Sequence, residues 1–262
     1  MGKPGRRLLA SRLPELRELH AVDFVIANAE NASGGVGLTP GNARELLALG
    51  IDVLTLGNHA WDKRELLDAI DDIPQLVRPL NYPPGTPGRG WTVRTSRVGT
   101  RVAVINAMGR VFSGAHLDCP FRGLEEALGE IGPSGNVVIV DFHADATSEK
   151  VTMGWYLDGR VSAVVGTHTH VQTADAAVLP GGTAYITDVG MTGPWVSSLG
   201  MERGRIIERF LTQLPVRFEV ATGPSQLNAI LIDIDETTGR ARSVHPLFER
   251  EALDAPDASE WG

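Results

Sequence analysis

The sequence of 262 residues has one cysteine, no long apolar run and no excess of positive charge. Because Cys119 has no second cysteine to pair with, an internal disulfide is excluded, which fits a reducing compartment. No stretch reaches the roughly 18 apolar residues typical of a membrane span, and the N-terminus lacks an apolar signal core. The 24 Lys and Arg against 32 Asp and Glu give a net charge of −8, which argues against wide contact with a phosphate backbone. We therefore expect a soluble cytoplasmic protein that binds neither membrane nor extended nucleic acid.

Several familiar enzyme motifs are also missing from the sequence. There is no Walker loop, no dinucleotide-binding glycine fingerprint and no Gly-x-Ser-x-Gly elbow. Cys119 has no basic partner nearby in sequence, so an inert thiol is a better interpretation than a nucleophile.

Short runs rich in Val and Ile recur along the chain and alternate with helical patterns. Seven runs are predicted as buried strands, at 22–27, 51–56, 101–107, 136–142, 161–165, 183–187 and 229–234. Helices are predicted at 6–20, 40–49, 62–71 and 121–131, the second with Thr39 as its N-cap. Strands alternating with helices indicate an α/β fold. The later strands alternate less regularly, so one sheet and two packed sheets both remain open, within a single domain spanning 1–262.

Polar side chains that can bind metal follow four of these runs directly. In open α/β sheets ligands bind at the carboxyl ends of the strands, so four such segments predict one shared site. Imidazole, carboxylate and amide oxygen together suit divalent first-row metals. The candidate residues are Glu30, Asn31, Asn58, His59, His143, His168 and His170.

Each candidate also has an alternative structural interpretation. His168 and His170 could be a surface pair in a loop. Glu30-Asn31 and Asn58-His59 lie beside glycines, where asparagine is common in turns. His143 is close to Asp141 and Asp145, which could orient its ring, join it on a metal or pair with it for structure alone.

The Pro- and Gly-rich stretch 78–90 has two interpretations. It is either a stiff surface connection or a loop that offers Arg78, Asn81, Tyr82 or Arg89 to a ligand.

Several strings, among them FVIANAENASGG, LGNHAWD, DFHADATSEK and VVGTHTHVQTAD, resemble one known family along essentially the whole chain. The sequence resembles the calcineurin-like metallophosphoesterases and, more narrowly, the bacterial YmdB-type phosphodiesterases. This resemblance implies a four-layer α/β/β/α sandwich and a dinuclear iron or manganese centre. It also implies hydrolysis of small phosphodiesters, including 2′,3′-cyclic nucleotides.

The resemblance further implies a role for each candidate residue. Glu30 would bridge two metals, and His59 would act as the acid or charge stabiliser. The first metal would take Asn31 and His170, and the second would take Asn58, His143 and His168. Residues that bind the substrate remain unknown.

The start of the sequence departs from the family pattern. Family members open with a strand ending in a Gly-Asp pair whose Asp binds the first metal, whereas here Met1 directly precedes Gly2-Lys3-Pro4-Gly5. The Gly2–Gly5 segment is expected to be a loop. We expect a natural start roughly ten residues earlier, and weaker binding of the first metal without that Asp.

The sequence therefore predicts a metal-dependent phosphodiesterase. The alternatives are a phosphomonoesterase on the same metals, and a slow or inactive metal-dependent binding or regulatory protein. The oligomeric state is open, with a homo-oligomer among the options.

Overall fold

The computed structural model describes residues 1–132 and 137–253 of the chain. Within them the α-helices are α1 (Gly2–Leu19), α2 (Pro40–Ala48), α3 (Pro120–Ile131), α4 (Thr147–Leu157) and α5 (Arg203–Thr212). The strands are β1 (Ile26–Asn28), β2 (Val53–Thr55), β3 (Leu76–Val77), β4 (Trp91–Thr95), β5 (Arg101–Met108), β6 (Val137–His143), β7 (Ala163–Thr167), β8 (Ala177–Val178), β9 (Ala184–Ile186), β10 (Gly193–Pro194), β11 (Ser225–Ile234) and β12 (Ala241–Arg250). None of the helices in these ranges is long and apolar enough to span a membrane.

The described strands form three sheets. The first is parallel, in the order β1-β2-β3. The second has six strands in the order β4-β5-β6-β7-β9-β8, with a parallel centre and antiparallel edge strands. The third is antiparallel, in the order β10-β11-β12. The predicted α/β class is therefore confirmed.

Apolar side chains from all three sheets share one core cluster. Val53 of β2, Val104 of β5, Ile139 of β6 and Ile232 of β11 belong to it. Because strand side chains alternate between faces, the neighbouring residues of β5 and β6 point the other way, into a second cluster with Leu157 of α4 and residues of α3. The six-stranded sheet is thus covered on both faces, which explains its near-continuous apolar strands.

Helices α1 and α2 cover the other side of the molecule. Leu13 of α1 and Leu46 of α2 are buried against Leu54 of β2. One turn away on α1, Leu8 and Leu16 pack with residues of β11, so this helix bridges the first and third sheets.

Three of the four predicted helices form with small shifts in their ends. Thr39 is the N-cap of α2, as predicted, and its Oγ1 accepts from the backbone N–H of Asn42 at 3.2 Å. The expected Gly2–Gly5 loop is wrong, because α1 begins at Gly2. Pro4 is tolerated there since the first turn of a helix needs no N–H donor from it, and the N–H of Gly2 donates to the Asn31 carbonyl at 2.8 Å.

The helix predicted at 62–71 is wrong. This region forms two short 3-10 turns, Arg64–Leu66 and Ile70–Asp72. Each turn buries one apolar residue completely, Leu66 in the first and Ile70 in the second. Pro74 also disfavours helical geometry at the residue just before it.

The first predicted strand is shorter than expected. Val25 lies outside β1, and its N–H donates to the Asp52 carboxylate at 2.8 Å instead of to a neighbouring strand. The predicted start of the fourth strand, at residue 136, lies outside the described residues.

Candidate metal centre

The predicted site residues follow the carboxyl ends of four strands in two different sheets. Glu30 follows β1 and Asn58 follows β2, both in the first sheet. His143 is the last residue of β6, and His168 comes directly after β7 in the six-stranded sheet. The strand ends of the two sheets therefore meet, and the structure brings these side chains together.

His143 is the centre of the cluster. Its Nε2 atom lies 2.8 Å from Asn58 Oδ1, 3.0 Å from His168 Nδ1 and 3.2 Å from Glu30 Oε1. The ligand atoms of Glu30, His143 and His168 all lie within 4.8 Å of one another. A single ring nitrogen cannot donate to three partners at once, and the close approach of these ligand atoms makes the cluster a candidate metal site.

The proton on the His143 ring is fixed from the opposite side. Thr167 Oγ1 donates to the buried Asp141 carboxylate at 2.7 Å, so its oxygen accepts from His143 Nδ1 at 2.9 Å. Thr55 and Asn28 also donate to Asp141. A ring with its proton on Nδ1 keeps a lone pair on Nε2, and this is the arrangement that a metal ligand requires.

A second pair of candidate ligands lies beside Glu30. Asn31 Nδ2 is 3.2 Å from Glu30 Oε1 and 3.1 Å from His170 Nε2. His170 Nδ1 is 3.0 Å from the Leu199 carbonyl, to which it donates, so its Nε2 keeps a lone pair. The Asn31 Oδ1 atom is buried without a hydrogen-bond partner. An orphaned buried oxygen of this kind is costly unless something absent from the protein chain binds it.

Gly57 lines the cluster from the side of the first sheet. A Cβ atom at this position would overlap Glu30 Oε2 and His143 Nε2. Only glycine lets the backbone pass so close to both ligands.

Electrostatics in the cluster favour a cation. Burial alone would raise the pKa of Glu30, but His143 and the backbone N–H of His59 lower it to about 2. Burial likewise opposes charge on His143, yet the Glu30 carboxylate raises the pKa of His143. The pKa of His168 is lowered, first by burial and then by the nearby His143. The residues present fit a metal ion, because they supply a negative charge and several lone pairs to one small volume.

The loop that carries His168 and His170 is held in an uncommon backbone conformation. Their φ angles are 111° and 65°, in the region that favours glycine. Between them, the N–H of Thr169 donates to Asp188 Oδ2 at 2.9 Å. The same oxygen accepts from Lys150 Nζ of α4 at 2.7 Å, and both side chains are almost fully buried. The Lys150–Asp188 pair therefore holds this loop in place.

His59 lies at the edge of the cluster. Its ring Nδ1 is 2.7 Å from Asp62 Oδ2, and its side chain is 33% exposed. The backbone N–H of His59 donates to Glu30 Oε2 at 3.0 Å. The ring is therefore oriented by a carboxylate and accessible to a ligand.

Two of the four candidate residues in the 78–90 loop have structural roles. Arg78 is buried and donates to several backbone carbonyls of its own loop, including those of Pro79 and Pro87. The amide of buried Asn81 donates to the carbonyls of Met108 and Asp118. These two side chains are thus not available to a ligand.

The sequence interpretation missed the residues that support the ligands. Thr167, Asp188 and Lys150 make no recognisable motif, and their partners lie 19 to 38 positions away in sequence. Asp141 orients His143 through Thr167, whereas Asp145 is exposed.

The cluster brings imidazole, carboxylate and amide groups together at the strand ends of an α/β fold, which is the arrangement of a candidate metal site. The chain matches the YmdB-like protein family over residues 1–247, and it belongs to that family. The predicted resemblance is therefore confirmed.

Similar proteins support this assignment. A Bacillus subtilis protein named 2′,3′-cyclic-nucleotide 2′-phosphodiesterase is 52% identical over 248 residues, which cover 95% of this chain and 93% of that protein. A crystal structure of a hypothetical protein from Thermus thermophilus has a TM-score of 0.89 at 44% identity, covering 96% of both chains. A Mycoplasma pneumoniae phosphatase structure has a TM-score of 0.90 at 33% identity, covering 96% of this chain and 91% of that one. The chain is an enzyme of this family, as predicted.

Proposed function

We propose that this protein is a metal-dependent phosphodiesterase that hydrolyses small phosphodiesters such as 2′,3′-cyclic nucleotides. The observation that carries the proposal is the approach of Asn58, His168 and Glu30 to His143 Nε2 within 3.2 Å. Such a set of ligand atoms fits a cation, and the 52% identical relative is named 2′,3′-cyclic-nucleotide 2′-phosphodiesterase.

Two metals, iron or manganese, would occupy the cluster. Asn31 and His170 would hold the first, while Asn58, His143 and His168 would hold the second, and Glu30 would be shared between them. When bound, the metals would act as Lewis acids on the phosphoryl oxygens and would make a hydroxide nucleophile available at neutral pH. The approach of Asn31 to Glu30 and His170 supports the first site.

His59 would complete the reaction from the exposed edge. With Nδ1 held by Asp62, the imidazolium form of His59 can give its Nε2 proton to the departing alkoxide, an effect typically worth about 10²–10⁴-fold. The Lys150–Asp188 pair would keep His168 and His170 aimed at the site.

The same proposal extends to the architecture and location. The shared core cluster of the three sheets, with helices outside, supports a four-layer α/β/β/α sandwich in a single domain. A cytoplasmic location remains a prediction from the sequence.

The roles of the residues can be tested by metal analysis of variants. His168→Ala and Glu30→Ala are expected to lose bound metal together with activity, because both side chains are assigned to coordination. His59→Ala should keep its metal and lose turnover. If His59→Ala is depleted of metal as severely as His168→Ala, the assignment is wrong.

The substrate class can be tested with paired esters. Values of kcat/KM should be higher for 2′,3′-cyclic nucleotides and aryl phosphodiesters than for the matching monoesters. A clear preference for monoesters would instead support the phosphomonoesterase. Tight metal binding without turnover on either series would support the binding or regulatory protein.

A further inference from the structure

An open groove of about 1040 Å³ lies between the first turns of α1 and the segments 33–42, 63–65 and 220–225. Pockets that hold small ligands typically enclose about 300–1000 Å³. The groove therefore has room for a ligand of the size of one or two nucleotides.

The groove is close to the metal cluster on two of its sides. Ser33 in its lining follows the predicted ligand Asn31 by two residues, so their Cα atoms are at most about 8 Å apart. Lys63 in its lining follows His59 by four residues, which allows at most about 15 Å. The first N–H group of α1 donates to the Asn31 carbonyl at 2.8 Å, which joins this helix to the cluster. One small ligand can therefore extend from the cluster into the groove.

The groove is cationic, although the chain as a whole has a net charge of −8. Four cationic residues line it against two carboxylates. Lys3, Arg7 and Lys63 form no ion pair or side-chain hydrogen bond with any other described residue. The fourth, Arg6, is held by Glu45 at 3.2 Å. Cations that face one cavity raise the positive potential inside it, so an anion is attracted there.

Much of the remaining lining is polar and is held in place. The Ser33 Oγ atom accepts from the backbone N–H of Thr39 at 2.9 Å and from the side-chain amide of Asn42 at 2.6 Å. One of the two carboxylates, that of Glu251, accepts from the backbone N–H of Ser225 at 2.6 Å. None of the described residues that line the groove is aromatic, so it offers charge and hydrogen bonds instead of a stacking surface for bases.

We propose that this groove binds a second phosphate group of the substrate, on the 5′ side of the nucleotide whose cyclic ester is hydrolysed at the metal cluster. The substrate class is then a short oligonucleotide that ends in a 2′,3′-cyclic phosphate, and Lys3, Arg7 and Lys63 bind its last internucleotide phosphate. The inference rests on the proposed diester hydrolysis, because it extends the same substrate by one unit. Only a few nucleotides are involved, since the net charge of −8 argues against wide backbone contact.

The kinetic test compares two substrates of the metal-loaded full chain. These are adenosine 2′,3′-cyclic phosphate and the adenosine dinucleotide that ends in a 2′,3′-cyclic phosphate. The wild type is expected to have a kcat/KM about tenfold or more higher for the dinucleotide, because a charge-assisted contact to phosphate changes affinity by about that factor. Adenosine 2′,3′-cyclic phosphate with an added 5′-phosphate is the third substrate. If it is preferred over the dinucleotide, the assignment to an oligonucleotide is wrong.

Two variants remove the cations of the groove. Lys3→Gln/Arg7→Gln changes two exposed side chains of α1, so it should fold with an unchanged circular dichroism spectrum. Lys63→Gln removes the cation of the opposite wall. Each variant should lower the preference for the dinucleotide about tenfold. Arg97→Gln is the matched control, because Arg97 is an exposed cation in the turn between β4 and β5 and should keep the wild-type preference.

A binding measurement separates the groove from the reaction. Fluorescence anisotropy with a labelled trinucleotide that ends in a 3′-phosphate should show about tenfold weaker binding to Lys3→Gln/Arg7→Gln than to the wild type. Equal kcat/KM for both cyclic substrates, together with equal binding by wild type and variant, would overturn the groove and leave the proposed reaction standing. Binding that depends on Lys3 and Arg7, without hydrolysis of either cyclic substrate, would support the groove and refute the reaction.

Discussion

The ion pair between Lys150 and Asp188 allows a quantitative prediction about the His168–His170 loop. The two side chains are 1% and 0% exposed, and Nζ lies 2.7 Å from Oδ2. Lys150→Met removes the cation and leaves the buried carboxylate with only the N–H groups of Thr169 and Gly190. Breaking one partner of a buried pair typically costs about 3–5 kcal/mol.

That cost is a large part of the roughly 5–15 kcal/mol by which a domain is stable. The double variant Lys150→Met/Asp188→Asn buries no charge and is expected to be less destabilised than Lys150→Met alone. Urea unfolding in the presence of a chelator, followed by circular dichroism, measures these differences without a contribution from metal. Arg160→Met, which breaks the exposed ion pair with Glu125, is the control and should change the unfolding free energy little.

The same variants should also weaken the metal site. Asp188 holds the N–H of Thr169 between the two histidines and is itself held by Lys150. Loss of the Lys150 cation or of the Asp188 charge therefore lets both imidazoles move. Comparable supporting residues change metal affinity by about 10–100-fold. The reasoning is refuted if Lys150→Met unfolds at the wild-type urea concentration, or if the double variant is no more stable than Lys150→Met.

Two further substitutions test the surroundings of the cluster. Gly57→Ala should abolish metal binding because its Cβ would overlap Glu30 and His143, whereas Gly41→Ala, with open space around it, should bind metal normally. A normal metal content in Gly57→Ala would contradict the close approach. Thr167→Val should lower the unfolding free energy by about 1–3 kcal/mol, because it leaves buried polar groups unpaired. It should also weaken metal binding about 10–100-fold. Thr167→Ser keeps the hydroxyl and should resemble wild type. Equal metal affinities for the valine and serine variants would disprove the role of the hydroxyl.

The fold was predictable where a pattern reflects burial on both faces of a sheet. The runs that became β5 and β6 are almost wholly apolar because helices cover one face and other strands cover the second. The helix predicted at 62–71 failed because its apolar spacing fits two tight turns as well as a helix. Periodicity records which residues are buried, and it does not record the backbone that buries them.

That the candidate ligands are neighbours could be predicted because parallel strands end at a common edge. Chemically distinctive side chains after four runs were enough to identify Glu30, Asn58, His143 and His168 as neighbours. The residues that orient these side chains were not predictable. Nothing in the sequence distinguishes Thr167, which donates to the buried Asp141 carboxylate, from a threonine at a strand end without such a partner. Such partners are selected by packing between strands that are far apart in sequence.

The origin of the ligands in two sheets has a consequence for stability. Glu30 and Asn58 belong to the first sheet, whereas His143 and His168 belong to the six-stranded sheet. Asn58 and Glu30 of the first sheet approach His143 Nε2 of the six-stranded sheet at 2.8 and 3.2 Å, and the Glu30 carboxylate is buried there. A cation bound between these atoms would add a further attraction between the two sheets. Metal binding would then contribute to folding as well as to chemistry, because the same atoms join the two sheets and form the site.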